Sequence, residues 1–205
     1  MSETRVLVLR HGQSEGNVAQ VWTSSLDGYP LTERGREQAR TAGERLTDRG
    51  VTAIYASPLP RAQQTAAEVG AVLGIPVATL AGVHELDVGV HEGEHDDNVA
   101  PVALHVFSAW WRDEDLTAGF PGGETGQQIV DRMRAALDSV ADRHEGETIV
   151  VVSHGGAMAV GIQWLCDNLD ALFVSQHILA NCELVELRRD AEGWRCDVWA
   201  GLARD

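Results

Sequence analysis

Val6-Leu7-Val8-Leu9-Arg10-His11-Gly12 is the stretch on which the fold turns. A short unbroken apolar run that ends abruptly in polar residues predicts a central strand covered on both faces. The same pattern returns at Ile149–Val152, which runs into Ser153-His154-Gly155-Gly156. Between these, Val51–Ala56 reads as a strand broken by Ser57-Pro58, and Val77–Leu80 as a third, shorter one. Helices alternate with them. Pro30-Leu31-Thr32 opens one, with Thr32 as cap and Gly35, Ala39, Ala42 and Leu46 at helical spacing until Gly50. A second begins near Leu59 and stops at Gly74, and Glu124–Arg143 carries an amphipathic third. Gly155–Cys166 is a small-residue helix behind the fourth strand, and Glu183–Arg188 with Trp194–Trp199 reads as an edge hairpin. The alternation predicts an α/β three-layer sandwich on a mostly parallel central sheet flanked by helices. From His84 to about Gly123 the periodicity fades, and a small lid subdomain is expected there.

At 205 residues the chain suits one domain spanning 1–205, and 44% hydrophobic residues suffice for a full core. A formal charge of −15 argues against nucleic acid and anionic lipid as partners. It also requires any anionic substrate to be held by locally placed arginines. No apolar run approaches the roughly 20 residues of a membrane span, and the first residues lack signal-peptide features, so a cytoplasmic location is expected. Cys166, Cys182 and Cys196 form no CxxC pair and read as buried thiols. Nothing in the sequence decides between a monomer and a homo-oligomer.

Open α/β sheets place their sites beyond the carboxyl ends of the strands. Those ends carry Arg10-His11-Gly12, Ser57–Arg61, His84-Glu85 and Ser153-His154-Gly155-Gly156. Two histidines, two arginines and a carboxylate on one rim suggest phosphoryl transfer, which needs positive charge, a nucleophile and a proton donor.

Ordered blocks reinforce this. Arg10-His11-Gly12-Gln13-Ser14-Glu15-Gly16-Asn17 resembles the RHG[QE][ST]xxN signature of the histidine phosphatase (phosphoglycerate-mutase-like) superfamily. Leu31–Ala39 resembles its LTxxGxxQA helix and Ser57–Ala66 its SPLxRAxQTA block. Glu85–Gly89 with Glu92-Gly93 resembles ExxxGxxEG, Gly123-Glu124-Thr125 stands at its GES helix start, and Ser153–Gly156 matches SHGG.

The resemblance implies that His11 is a nucleophile, neutral, with its other ring nitrogen donating to a backbone carbonyl. It implies that Arg10, Arg61 and a protonated His154 surround the phosphoryl oxygens, with Asn17, the Gly155 amide at a helix start and the Ser14 hydroxyl adding donors. Glu85 would protonate the leaving alkoxide and then deprotonate water. No metal and no cofactor is called for. His84, His91 and His95 beside Asp96 and Asp97 read as a solvated segment rather than a ligand set, and Trp110-Trp111 as lid core rather than pocket lining.

Three functions fit such a site. The first is a phosphatase acting on a small phosphorylated substrate, the second a cofactor-dependent phosphoglycerate mutase, and the third a protein phosphohistidine phosphatase or binding module. Mutases of the family carry ERHYG after the acid and later paired arginines, whereas Glu85 here precedes Leu86-Asp87-Val88-Gly89, and only Arg112 stands among Asp113, Glu114 and Asp115. Hydrolysis is therefore expected, with a phosphosugar or similar neutral alcohol as the leaving group.

Overall fold

The computed structural model describes residues 2–204. Strands β1 (Thr4–Arg10), β2 (Val51–Ala56), β3 (Val77–Thr79) and β4 (Thr148–Ser153) run parallel, with β4 inserted between β2 and β1. Strands β5 (Leu184–Asp190), β6 (Gly193–Trp199) and β7 (Leu202–Ala203) extend the sheet antiparallel from β1, giving the order β3-β2-β4-β1-β5-β6-β7. The predicted hairpin is thus bonded directly to the central strand. Val6, Leu7, Val8 and Leu9 are all buried, and so are Ile149 to Val152, because alternate side chains enter opposite cores.

Each face has its own core. Leu7, Leu9, Val150 and Val152 meet α2 (Glu33–Arg45) and α3 (Pro60–Leu73). Val6, Val8, Ile149 and Val151 meet α5 (Gly126–Arg143) and α6 (Gly155–Gln163). Thr32 caps α2 through a hydrogen bond from the Gly35 amide, and Thr125 caps α5 in a reciprocal box with Gln128. Pro60 sits in the first turn of α3, where its missing N–H costs nothing, and Gly74 closes the helix in a left-handed conformation at φ 69°. Cys166, Cys182 and Cys196 are buried free thiols.

The stretch 84–123 is more regular than its sequence suggests. After a short 3-10 turn it forms α4 (Asp96–Trp111), whose buried residues Val99, Ala103, Val106 and Trp110 keep helical spacing despite Pro101. These residues share one cluster with Ile129 and Val130 of α5 and Val160 of α6, so the lid packs on the helices of the sheet. Short helices α1 (Glu15–Val18) and α7 (Ala171–Gln176) complete the chain. No helix among the described residues is long and apolar enough to cross a membrane.

Arg132 ties the chain after β3 to α5. Its guanidinium donates to the carbonyls of Gly82, His84 and Glu85 and pairs with Glu124 at 2.7 Å. Both side chains are mostly buried, at 14% and 17% exposure, so removing one leaves the other uncompensated. Arg132→Met is expected to cost about 3 kcal/mol in urea unfolding. Arg40→Met, which removes surface pairs with Glu33 and Glu68, should leave the transition nearly unmoved.

Candidate active site

His11 follows β1, and its position is fixed by its neighbours' backbone. An added Cβ on Gly12 would stand 2.4 Å from the Gly35 carbonyl, and one on Gly35 would stand 2.0 Å from that of Gln13. Only glycine at both positions lets the loop lie on α2. The loop is then pinned from two helices. The Gly12 amide donates to Thr65 Oγ1 at 3.0 Å, and the Gln13 amide to Gln38 Oε1 at 2.9 Å. Much of the motif set thus holds the His11 loop in place.

The His11 ring is buried, with Nδ1 2.7 Å from the Gly12 carbonyl. A carbonyl only accepts, so the proton is on Nδ1. At Nε2 the ring accepts from Arg61 Nε at 3.1 Å, which places a lone pair there. Burial first, then the charges of Arg61 and Arg10, hold the His11 pKa well below its ordinary value, against the Gly12 hydrogen bond. The neutral imidazole, with its lone pair on Nε2, is therefore the resting form.

Arg61, at the start of α3, is 4% exposed and also donates to the Thr23 carbonyl at 3.0 Å. Arg10 donates to the Leu179 carbonyl. Burial lowers the pKa of both guanidiniums, and Glu85 opposes that shift in each. Arg10 Nε, Arg61 Nη1 and His154 Nδ1 are buried without a partner. Buried guanidinium donors are seldom left so, and two beside His11 mark a place for an acceptor.

His154 differs from the sequence expectation in one respect. Its ring is fully buried behind His11, 5.1 Å between centroids, and is not on the cavity wall. Ser57 Oγ engages Nε2 at 2.7 Å. Burial, then Arg61 and His11, push its pKa well below the ordinary value, so without an anion the ring is neutral rather than protonated.

Glu85 occupies the helix start that the sequence reserved for phosphate. Its carboxylate accepts from the amides of Ala157 at 2.8 Å, Leu86 at 3.0 Å and Gly156 at 3.3 Å. Gly155 itself lines the cavity. Ser14 is buried and caps α1, accepting from the Asn17 amide, while Asn17 Oδ1 accepts from the Ser14 amide. Asn181 donates to Asn17 Oδ1 at 3.2 Å and to the His11 carbonyl at 3.0 Å. With its oxygen so used, Asn17 has its amide N–H groups for the cavity it lines.

A cavity of about 500 Å³ runs from Arg10, His11, Arg61 and Glu85 to a wall of Trp22, Phe107, Trp111 and Ile178. The tryptophan pair splits its roles. Trp110 is fully buried and donates to the Ala118 carbonyl, while Trp111, stacked on Phe107 at 5.0 Å, lines the cavity. Arg112 does not line it. The histidines of the lid are engaged locally: His91 Nδ1 lies 2.9 Å from Glu94, and His95 caps α4. Among the described residues, no group of three or more His, Cys, Asp or Glu is arranged to hold a metal.

Asn181, the Leu179 carbonyl, Thr23 and Glu92 were not singled out for the site by the sequence reading. Glu92 accepts from Thr23, Ser24 and Ser25 and so shapes the loop whose carbonyl holds Arg61. Its EG motif was the available signal.

Comparison with known proteins adds four findings. The profile of the histidine phosphatase superfamily (branch 1) matches residues 6–201. A protein of Serratia proteamaculans named "Probable phosphoglycerate mutase GpmB" is 32% identical over 95% of this chain and 89% of its own length. The solved structure of a mycobacterial glucosyl-3-phosphoglycerate phosphatase superposes with a TM-score of 0.80 at 29% identity, covering 98% of this chain and all of that one. Bacillus stearothermophilus YhfR superposes with a TM-score of 0.83 at 26% identity, covering 98% of each.

Proposed function

The chain belongs to the histidine phosphatase superfamily, and from that premise we propose that it is a phosphomonoester hydrolase working through a phosphohistidine at His11. The observation that carries this reading is the neutral His11, its Nε2 lone pair beside Arg61, with the unpartnered guanidinium nitrogens Arg10 Nε and Arg61 Nη1 beside it and His154 packed behind. A phosphoryl group entering there would accept from these nitrogens and draw Arg61 off Nε2. Asn17, the Gly155 end of α6 and, if it turns inward, the Ser14 hydroxyl complete the oxygen contacts.

The chemistry balances over two steps. Nε2 attacks phosphorus, the N–P bond forms as the P–O bond to the alcohol breaks, and the alcohol oxygen takes a proton from the Glu85 carboxyl. Water then attacks the phosphorus of phospho-His11 and gives its proton back to Glu85 as the N–P bond breaks. Three backbone amides position the Glu85 carboxyl beside the start of α6 for both transfers. The guanidiniums supply the positive charge throughout, as a metal would elsewhere. Activity should therefore persist after dialysis against EDTA; a loss restored by Zn²⁺ or Mg²⁺ would overturn that expectation.

The mutase reading, favoured by the name of the Serratia relative, needs a cation for the substrate carboxylate. The basic residues lining the cavity are Arg10 and Arg61, both at His11. The aromatic wall suits the apolar face of a small alcohol, a phosphosugar ring among them, which also sets this site apart from a surface for phosphorylated protein. The test is a hydrolysis screen of phosphomonoesters with 3-phosphoglycerate mutase activity assayed alongside. Mutase turnover exceeding hydrolysis would reverse the reading.

A further inference from the structure

The far wall of the cavity carries one charge. Asp96, the first residue of α4, lines the cavity and is held by the Trp22 indole, whose Nε1 donates to Oδ1 at 2.7 Å. Trp22, Phe107 and Trp111 line the same cavity, and its two arginines, Arg10 and Arg61, belong to the His11 end. The backbone fixes it as well, the Asp96 amide donating to the Gln20 carbonyl at 2.7 Å. One bond thus holds the carboxylate and another the backbone of a residue that lines the same cavity as His11 and Glu85.

The geometry assigns Asp96 as a specificity-determining residue: it excludes phosphomonoesters whose alcohol carries a second anion and leaves neutral or cationic alcohols as substrates. The inference rests on the hydrolase reading of His11, and it names the substrate class for that site. Both cavity arginines are committed to the phosphoryl group, so a second carboxylate or phosphate would meet Asp96 with nothing to compensate it. For two like charges at an effective dielectric of roughly 20–40, a separation on the order of 8 Å would disfavour the complex by roughly fivefold to thirtyfold. Neither the net charge of the chain nor the exposed acids of the lid would produce so local an effect, because solvent and salt screen them.

The test uses a matched pair, glycerol 3-phosphate and 3-phosphoglycerate, which differ by a hydroxymethyl against a carboxylate. The full-length wild type should prefer glycerol 3-phosphate by at least about tenfold in kcat/KM. Asp96→Asn should shrink that ratio by about fivefold or more, since the amide oxygen can still accept from Trp22 and the wall keeps its shape. Asp97→Asn makes the same change in net charge one residue away, on a side chain that is 93% exposed, and should leave the ratio unchanged. A ratio that Asp96→Asn does not move, or that Asp97→Asn moves as far, overturns the assignment. Calorimetric binding of the same two compounds to His11→Ala, with and without Asp96→Asn, reads the pocket without turnover. A preference that depends on Asp96 in binding, with no hydrolysis of any phosphomonoester by the wild type, would sink the hydrolase reading and keep this one. Equal binding of the pair by both proteins would sink this one alone.

Discussion

Replacing His11 by alanine is expected to lower phosphomonoester hydrolysis by at least about 10⁴-fold, because the covalent route disappears with the nucleophile. The fold should survive. The loop is held by the Gly12 and Gln13 amides and by the Gly12–Gly35 approach, none of which uses the imidazole. What the ring contributes to stability is one hydrogen bond to the Gly12 carbonyl and one from Arg61. Its loss leaves Arg61 with a further unpaired donor, a cost of about 1–3 kcal/mol that thermal unfolding would register as a shift rather than a collapse. Rapid acid-free quenching should trap phosphate on the wild type, labile to acid, and none on the variant. Hydrolysis by folded His11→Ala within about tenfold of wild type would mean that water attacks the substrate directly.

The contrast between what the sequence revealed and what it hid has a physical origin. The strand ends were legible because β1 and β4 are buried on both faces, which forces unbroken apolar runs, and the polar residue that ends such a run marks the rim. Arg61 was legible for the same reason, one turn beyond β2. The lid was not. Helix α4 begins with two aspartates and contains Pro101, which hide the spacing of Val99, Ala103, Val106 and Trp110 from a reading of composition. Asn181 and the Leu179 carbonyl lie in the loop before β5, far along the chain from His11, and act through one amide and one backbone oxygen. No residue pattern announces a backbone acceptor. The α6 N-terminus was legible only in part for a related reason: sequence shows that a helix starts at Gly155, but only the close packing of Gly156 against Glu85 and Leu86 shows that the next two amides are occupied by the Glu85 carboxylate.

That occupancy sharpens what Glu85→Gln should do. Oε1 accepts the two shorter bonds, from Ala157 at 2.8 Å and Leu86 at 3.0 Å, and Oε2 only the longer one from Gly156 at 3.3 Å. Glutamine can keep its oxygen on the first pair, while its amide nitrogen, a donor, faces the Gly156 N–H and forfeits that longest bond, so the side chain stays held at two of three points and loses its ability to carry the proton. For an alkyl phosphate, whose alkoxide cannot leave unprotonated, kcat/KM is expected to fall by roughly 10²–10⁴-fold. For p-nitrophenyl phosphate, whose phenolate leaves without help, the fall should be much smaller. The comparison belongs in kcat/KM, which covers the steps up to phospho-His11, because the later attack of water, with Glu85 as base, is common to both substrates and would mask the contrast at saturation. Burst kinetics offer a second reading: with the nitrophenyl ester the variant should still release about one equivalent of nitrophenol quickly and then stall at the phosphohistidine. If both substrates instead lose activity by the same factor and no burst appears, Glu85 serves to hold the start of α6 beside His11 rather than to move a proton. Asp87 and Glu92 are then the next acids to test, and Glu92 is the weaker of the two, because its carboxylate is already spent on Thr23, Ser24 and Ser25.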